Sequence, residues 1–135
     1  MKSKIFYYNI QIHERHLDVF SHVNNSVYMQ FYEEARWDIL NILGYGLDYI
    51  QKNKQGPVLL ESHISFKKEL VNREKIQIET YFDFNESKIF KIKQRILKES
   101  GIVSSEAEFV VGYLNLLERK LIALPQDWLD KIHDN

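Results

Sequence analysis

The chain has 135 residues, with 18 Lys and Arg against 19 Asp and Glu, and no cysteine. This length allows one domain with a single core over residues 1–135, and the net charge of -1 gives no strong field to attract nucleic acid. The absence of cysteine excludes disulfides, thiolate metal sites and a cysteine nucleophile, which leaves oxygen and nitrogen chemistry.

Residues 1–12 predict the first strand. Phe6, Tyr8 and Ile10 share one parity and alternate with mainly polar positions, which is typical of a half-buried strand. The segment lacks the apolar core of about 7–15 residues that a signal peptide needs. No run of about 20 apolar residues that could cross a bilayer occurs in the chain. We therefore expect a cytoplasmic protein without membrane contacts.

Positions 25–43 predict a long helix, because apolar residues recur there at three- and four-residue steps. Gly44 and Gly46 end the pattern. The polar segment 51–56 is expected to be a loop that leads to the next strand.

Four further strands are predicted from alternating apolar and polar residues. Their approximate ranges are 58–67, 76–84, 90–96 and 103–113. In the first of them, Val58, Leu60, Ile64 and Phe66 are expected to share one face. Because the connections are short, such as the turn at 85–87, we expect these four strands to form an antiparallel meander.

A short C-terminal helix is expected after Pro125, with Trp128 as its apolar anchor. The element order is therefore a strand, a long helix, four strands and a short helix, which is an α+β arrangement. A hotdog fold, in which a long central helix is wrapped by a five-stranded antiparallel sheet, has this order. A cystatin-like fold has a similar order, and element order alone does not separate the two.

The segment before and within the long helix carries a more specific motif. Residues 18–36 read DVFSHVNNSVYMQFYEEAR. They resemble the 4-hydroxybenzoyl-CoA and acyl-CoA thioesterase family of hotdog proteins, with local similarity to acyl-carrier-protein thioesterases. The resemblance covers essentially the whole chain. It implies hydrolysis of an acyl-CoA or acyl-carrier-protein thioester to a free acid and a thiol, without a cofactor, by a homodimer or homotetramer.

Hydrolysis of a thioester needs a base or nucleophile beside the carbonyl carbon and a donor for the oxygen that becomes negative. Asp18 can supply the first, because an ionised carboxylate can deprotonate water or attack directly. The N–H groups at the start of a helix have no intrahelical partner and can supply the second. The resemblance assigns this second role to the main-chain N–H of Asn25.

Each candidate also has a structural interpretation. Asp18 is of a type that forms turns and helix caps. His22 is either an orienting or acid/base partner of Asp18, which the resemblance favours, or a loop histidine bonded to backbone. Tyr28 is expected to line the substrate cleft. Glu33 is expected to be a partly buried acid with a hydrogen-bond partner rather than a second catalytic carboxylate.

Three positions depart from the family pattern. His16 stands where many members have a second Asp, Phe20 where acyl-carrier-protein enzymes have Asn, and residues 73–74 where Gly-Asp is common. The departures at His16 and Phe20 leave a second interpretation open, a non-catalytic protein that binds an acyl or aromatic ligand. His13, Glu14 and His16 could join Asp18 as metal ligands, but their spacing fits no helix or hairpin site, so no metal site is expected.

Positive side chains suggest where an anionic substrate would bind. Lys67, Lys68 and Arg73 form one cluster, and a second cluster lies over 88–95; both are candidates to contact the phosphates of coenzyme A. The simpler interpretation of both clusters, preferred for any single residue, is a solvated sheet face. The first cluster is assigned to substrate binding. An unpaired strand edge can join another sheet, which agrees with the expected homo-oligomer.

Overall fold

The computed structural model describes residues 1–85 and 87–133. A 3₁₀ turn at Glu14–His16 precedes the long helix, and the other elements are β1 (Phe6–Gln11), α1 (Asn25–Leu43), α2 (Leu47–Asn53), β2 (Gln55–Phe66), β3 (Lys75–Asp83), β4 (Ile89–Lys98), β5 (Val103–Asn115), β6 (Lys120–Ile122) and α3 (Gln126–His133). In the predicted turn after β3, the Asn85 side-chain oxygen accepts the Ser87 N–H at 2.9 Å. Glu86, the other residue of that turn, lies outside the described residues.

The strands pair antiparallel in the order β1-β3-β4-β5-β2, and β6 pairs with β5. The five predicted strands are confirmed, whereas β6 was not predicted. The four-strand meander is correct only for β3, β4 and β5, because β2 pairs with β5 instead of β3. The chain between β2 and β3 therefore crosses the sheet, and β2 lies at its edge. Alternation indicates that a strand is half-buried but carries no information about its neighbour.

A bulge changes which residues of β2 face the core. The register shifts between Leu59 and Glu61, so Leu60 has no partner on β5. One extra residue reverses the parity of the strand. Leu59 is consequently paired with the buried Val111, and Ile64 with the buried Ala107. The prediction that Val58 and Leu60 share a face with Ile64 and Phe66 is wrong for the first two.

The long helix α1 begins and ends as predicted. Asn24 precedes it in an extended conformation, and Gly44 follows it with φ +84°. A left-handed residue at this place lets the chain leave the helix, and glycine adopts it without a Cβ penalty. Tyr32 of α1 contacts two residues of β5: its ring meets that of Phe109 edge-on at 5.7 Å, and its hydroxyl donates a 2.6 Å hydrogen bond to the buried Ser105 hydroxyl. The predicted face of α1 is thus fixed on the inner surface of a curled sheet.

The predicted loop at 51–56 is wrong. Its first half belongs to α2, which ends at Asn53, and β2 starts at Gln55. None of the α2 residues is buried, so the helix has no apolar stripe that periodicity could detect. Lys54 ends it with φ +55°.

Helix α3 confirms the prediction after Pro125. Trp128 is 2% exposed and lies among aromatic rings of the core. No helix in the described ranges has the length and apolar character to cross a membrane. The cytoplasmic location stays a prediction.

Candidate active site

The loop before α1 is closed by short backbone bridges. Leu17 pairs with Val23, and His22 pairs with Val71 in the connection between β2 and β3. The Asn24 N–H donates to the His16 carbonyl at 2.9 Å, which ties the start of α1 to the 3₁₀ turn. Residues far apart in sequence therefore hold the predicted motif in place.

Asp18 is half-buried at the first position of the turn inside this loop. Its Oδ1 accepts the Phe20 N–H at 2.8 Å, and its main-chain carbonyl accepts the Ser21 N–H at 3.1 Å. Ser21 has φ +63°, as a tight turn of this kind requires. The interpretation of Asp18 as a turn former is thus confirmed. The second carboxylate oxygen, Oδ2, accepts no hydrogen bond in the described chain, so the catalytic role stays a prediction.

The start of α1 leaves one backbone donor without an acceptor. Asn24 is the cap, because its Oδ1 accepts both the N–H and the hydroxyl of Ser26 at 2.9 Å. The Val27 N–H donates to the Asn24 carbonyl at 2.9 Å. Within residues 1–85 and 87–133, the Asn25 N–H has no hydrogen-bond acceptor, and Asn25 is exposed. It is the one free donor of the first turn in that part of the chain, at the positive end of a 19-residue helix.

His22 contributes through its backbone. Its carbonyl accepts the Asp18 N–H at 2.9 Å, whereas its side chain forms no hydrogen bond or ion pair with Asp18 in the described structure. The geometry therefore agrees with the loop-histidine interpretation. The role as an acid/base partner stays a prediction.

His16 is a packing residue at 9% exposure. Its Nδ1 accepts the His13 N–H at 2.9 Å, and its ring meets Phe31 of α1 edge-on at 4.9 Å. Burial lowers the pKa of His16 below its ordinary value, and the charge of Arg15 acts in the same direction. Where many family members have a second Asp, this chain has an imidazole that stabilises the loop in its neutral form.

This environment predicts a pH dependence of stability. Because the folded pKa is lowered, the unfolded state binds more protons between that pKa and the ordinary value near ~6.5. The free energy of unfolding should therefore fall as the pH drops through this window. His16→Asn keeps an acceptor for the His13 N–H and should flatten the slope in urea titrations between about pH 5 and 7. The matched variant at the exposed His63, His63→Asn, should keep the wild-type slope; equal slopes for both variants would contradict the prediction.

Both Tyr28 and Glu33 were expected to be structural residues of α1, but only Tyr28 is buried. Tyr28 is 4% exposed, and its ring meets Phe66 of β2 edge-on at 4.9 Å. It lies at the seam between the start of α1 and the end of β2, while its contact with substrate stays a prediction. Glu33 is exposed and has no hydrogen-bond partner in the described structure, so the expectation of a partly buried, bonded acid is wrong.

Two of the three predicted phosphate ligands are paired within the chain. Arg73 binds both carboxylate oxygens of Glu14 at 2.8 Å, and Lys67 lies 3.3 Å from Glu106. The pKa of Glu14 falls to about 2, through its backbone hydrogen bond and through Arg73. Both pairs are exposed and weak, so a stronger anion can compete for them. Lys68 is exposed and forms no ion pair in the described ranges. The assignment of all three to substrate binding stays a prediction.

The turn at 73–74 keeps the geometry of a glycine turn. Arg73 has φ +65°, a left-handed value that favours glycine. The departure from Gly at this position is therefore accommodated with strain, and the bond to Glu14 holds the turn.

The second positive cluster, over 88–95, forms ion pairs on the outer sheet face, among them Arg95 with Glu79, as its simpler interpretation predicted.

No role was predicted for Arg36, although it belongs to the motif. Its Nη1 donates to Gln94 Oε1 at 2.8 Å, and its guanidinium lies 4.3 Å from the centre of the Phe109 ring. It lines a cavity of about 250 Å³ between α1, the sheet and α3. The only sequence signal was a cation on a helix with an apolar face.

Among the described residues, no cluster of three or more His, Asp or Glu side chains is arranged to hold a metal ion.

A curled antiparallel sheet around one long helix, with a carboxylate and a free N–H at the helix start, defines a hotdog-fold protein of the thioester-hydrolase class. The family profile described as the thioesterase-like superfamily matches residues 12–132. The chain belongs to this superfamily and is a thioester hydrolase. The cystatin-like alternative is wrong, and the non-catalytic alternative loses its support.

Individual relatives agree with this assignment. The chain is 27% identical over 124 residues to the long-chain acyl-CoA thioesterase FadM of Escherichia coli (strain K12), covering 91% of this chain and 93% of that protein. A 1,4-dihydroxy-2-naphthoyl-CoA thioesterase from Synechocystis superposes with a TM-score of 0.88 at 22% identity, covering 97% of both chains. A Staphylococcus aureus protein in complex with CoA superposes with a TM-score of 0.89 at 18% identity, covering 98% of this chain and 84% of that one. At these identities, the two structures show the fold.

Proposed function

We propose that this chain hydrolyses acyl-CoA thioesters, with Asp18 as general base or nucleophile and the Asn25 N–H as the donor to the carbonyl oxygen. The observation that carries the proposal is the free Asn25 N–H, seven residues after a carboxylate in the same loop. The Asp18 N–H donates to the His22 carbonyl, which places these two residues side by side across the turn, and Asn25 follows His22 by three residues. This is on the order of 10 Å at ~3.3 Å per extended residue, enough to hold a carbonyl group between the two.

The chemistry uses these two groups on opposite sides of the carbonyl. In the general-base form, Asp18 takes a proton from water as the water oxygen attacks the carbonyl carbon. The carbonyl oxygen becomes negative and accepts the Asn25 N–H, whose orientation the Asn24 cap maintains. Collapse breaks the carbon–sulfur bond, and the leaving thiolate takes up the proton. In the nucleophilic form, an Asp18 oxygen forms a mixed anhydride that water then hydrolyses.

The acyl carrier and the assembly are parts of the same proposal. The relative FadM is named for long-chain acyl-CoA, which supports coenzyme A as the carrier, with acyl-carrier protein as the alternative. The outer edge of β2 pairs with no strand in the described chain, and Leu59 and Phe66 on its inner face are 42% and 55% exposed. We therefore propose a homodimer joined at β2. A purely monomeric species in analytical ultracentrifugation at micromolar concentration would contradict the dimer.

A panel of thioesters tests the activity. The purified protein is offered acyl-CoA substrates of two to sixteen carbons, benzoyl-CoA and acyl-carrier-protein thioesters, and the released thiol is trapped with a chromogenic dye. Turnover of CoA thioesters above the rate of a boiled sample is expected. Absence of turnover across the panel, or turnover of carrier-protein substrates only, would overturn the proposal.

A further inference from the structure

The cavity at the far half of α1 is apolar on almost every side. Its lining includes Leu40 of α1, Phe90 and Ile92 of β4, and Val111 of β5, all of them buried. Its volume of about 250 Å³ is just below the usual range for small-ligand pockets, which begins at about 300 Å³. A space of this size and lining suits an alkyl chain or a single ring.

Two charged side chains, those of Arg36 and Glu33, interrupt the apolar lining. The guanidinium of Arg36 has five N–H donors, and one of them bonds to Gln94. Gln94 is 3% exposed and is itself fixed, because its Nε2 donates to the Thr80 hydroxyl at 2.9 Å and to the Tyr32 carbonyl at 3.1 Å. The amide therefore keeps its oxygen turned toward Arg36, which holds the cation in one position.

The charge of Arg36 is not neutralised within the described chain. It forms no ion pair there with any carboxylate. Glu33 lines the same cavity and its charge raises the pKa of Arg36, but its side chain is exposed and forms no hydrogen bond with Arg36 in the described ranges. Burial lowers the pKa of Arg36 to about 10, which leaves it protonated at neutral pH. A partly buried cation without a carboxylate partner is costly, and such groups are normally paired. An acceptor from outside the chain would remove this cost.

A second donor lies at the same cavity. Trp128 of α3 is 2% exposed and contributes to the lining, and its indole N–H has no acceptor in the described structure. Buried indole N–H groups usually find a partner. The cavity thus combines an apolar wall with two unsatisfied donor groups, and the complementary ligand is an apolar chain that ends in an oxygen acceptor.

We infer that Arg36 selects acyl groups that carry a terminal carboxylate at the end distant from the thioester. This inference rests on the proposed function and names its substrate class. A carboxylate matches the fork of the guanidinium and neutralises its charge, whereas a terminal hydroxyl offers only a neutral hydrogen bond. A methyl end leaves the partly buried Arg36 without an ion-pair partner.

The distance along α1 sets the length of the preferred acyl group. Arg36 follows Asn25 by eleven residues, or about 16 Å at ~1.5 Å per residue. Helical side chains lean toward the N-terminus, which shortens the span to about 11–16 Å. At roughly 1.3 Å per carbon of an extended chain, this corresponds to about eight to twelve carbons. At the start of this path Tyr28 of α1 packs against Phe66 of β2, and at its far end Leu40 of α1 and Leu59 of β2 both line the cavity.

The test compares CoA thioesters of equal length with methyl, hydroxyl and carboxyl ends, at eight, ten and twelve carbons. The wild-type protein should show a kcat/KM for the carboxyl end about tenfold to a hundredfold above that for the methyl end at its best length. Arg36→Met should bring this ratio close to one, and Arg36→Lys should retain part of it. The matched control Arg119→Met changes an exposed turn residue outside the cavity and should keep the wild-type ratio.

Absence of a preference in the wild type, or an unchanged ratio in a folded Arg36→Met protein, would overturn the inference. Both outcomes agree instead with a carboxylate of a second subunit as the partner of Arg36. If Arg36→Met does not fold, the Arg36→Lys ratio and the wild-type preference decide.

A binding measurement separates this inference from the catalytic proposal. Octanoate should bind the wild type at least about tenfold more tightly than 1-octanol in calorimetry, even if no thioester is hydrolysed. Equal affinities would contradict the site.

Discussion

Asp18→Asn should lower kcat/KM for acyl-CoA hydrolysis by about 100-fold to 10,000-fold, the range expected for loss of a general base. The substitution removes the negative charge but keeps the side-chain oxygen that accepts the Phe20 N–H at 2.8 Å. The turn that positions the loop should therefore survive, and the free energy of unfolding should stay within about 0.5 kcal/mol of the wild type. Steady-state kinetics and urea titration of the same protein check both parts.

The two roles of Asp18 can be separated by a second variant. Asp18→Ala loses the turn hydrogen bond as well as the charge, so it should be inactive and also less stable by about 1 kcal/mol. Asp48→Asn provides the matched control, because Asp48 is an exposed Asp in α2. Full turnover by Asp18→Asn would rule out the proposed role, and Asp18 would then be only a turn former.

Trp128→Ala should destabilise the protein by about 3–5 kcal/mol, as expected for truncation of a large buried aromatic side chain. The indole is 2% exposed, and its ring centre lies 5.4 Å from that of Phe82 and 5.9 Å from that of Phe84. Such edge-on contacts add to the apolar area that α3 buries. Urea unfolding followed by far-ultraviolet circular dichroism measures the change.

Leu117→Ala is the comparison for this measurement. Leu117 is 77% exposed, so its truncation should change the free energy of unfolding by no more than about 0.5 kcal/mol. A loss below about 1 kcal/mol in Trp128→Ala, with an unchanged denaturant slope, would mean that α3 contributes little to the folded state. Such a result would also mean that Trp128 is not firmly held as a wall of the cavity at Arg36.

The local features of this protein were readable from the residues themselves. The alternation at Phe6, Tyr8 and Ile10 and the helical periodicity over 25–43 both reflect interactions within a few residues. The same holds for the stop at Gly44, where the structure has φ +84°. The motif of 18–36 identified the family because it combines a turn, a cap and a helix face in one short segment.

Features that depend on distant residues were missed. The neighbour of β2, the bulge at Leu60 and the exposure of Glu33 depend on how the sheet curls around α1. Helix α2 was missed for a different reason, since a short helix without a buried face leaves no periodic signal. His16 looked like a lost acid in the sequence, and only its packing against Phe31 revealed a neutral, structural imidazole.

The sequence by itself determined the long helix, its stop at Gly44, the five principal strands and the family, because these follow from local backbone preferences and a contiguous motif. The tertiary structure alone decided that His22 pairs with Val71, that the His16 ring packs on Phe31, and that Arg36 is partly buried beside Gln94. Each of these contacts joins residues that are distant in the sequence, so long-range packing sets them.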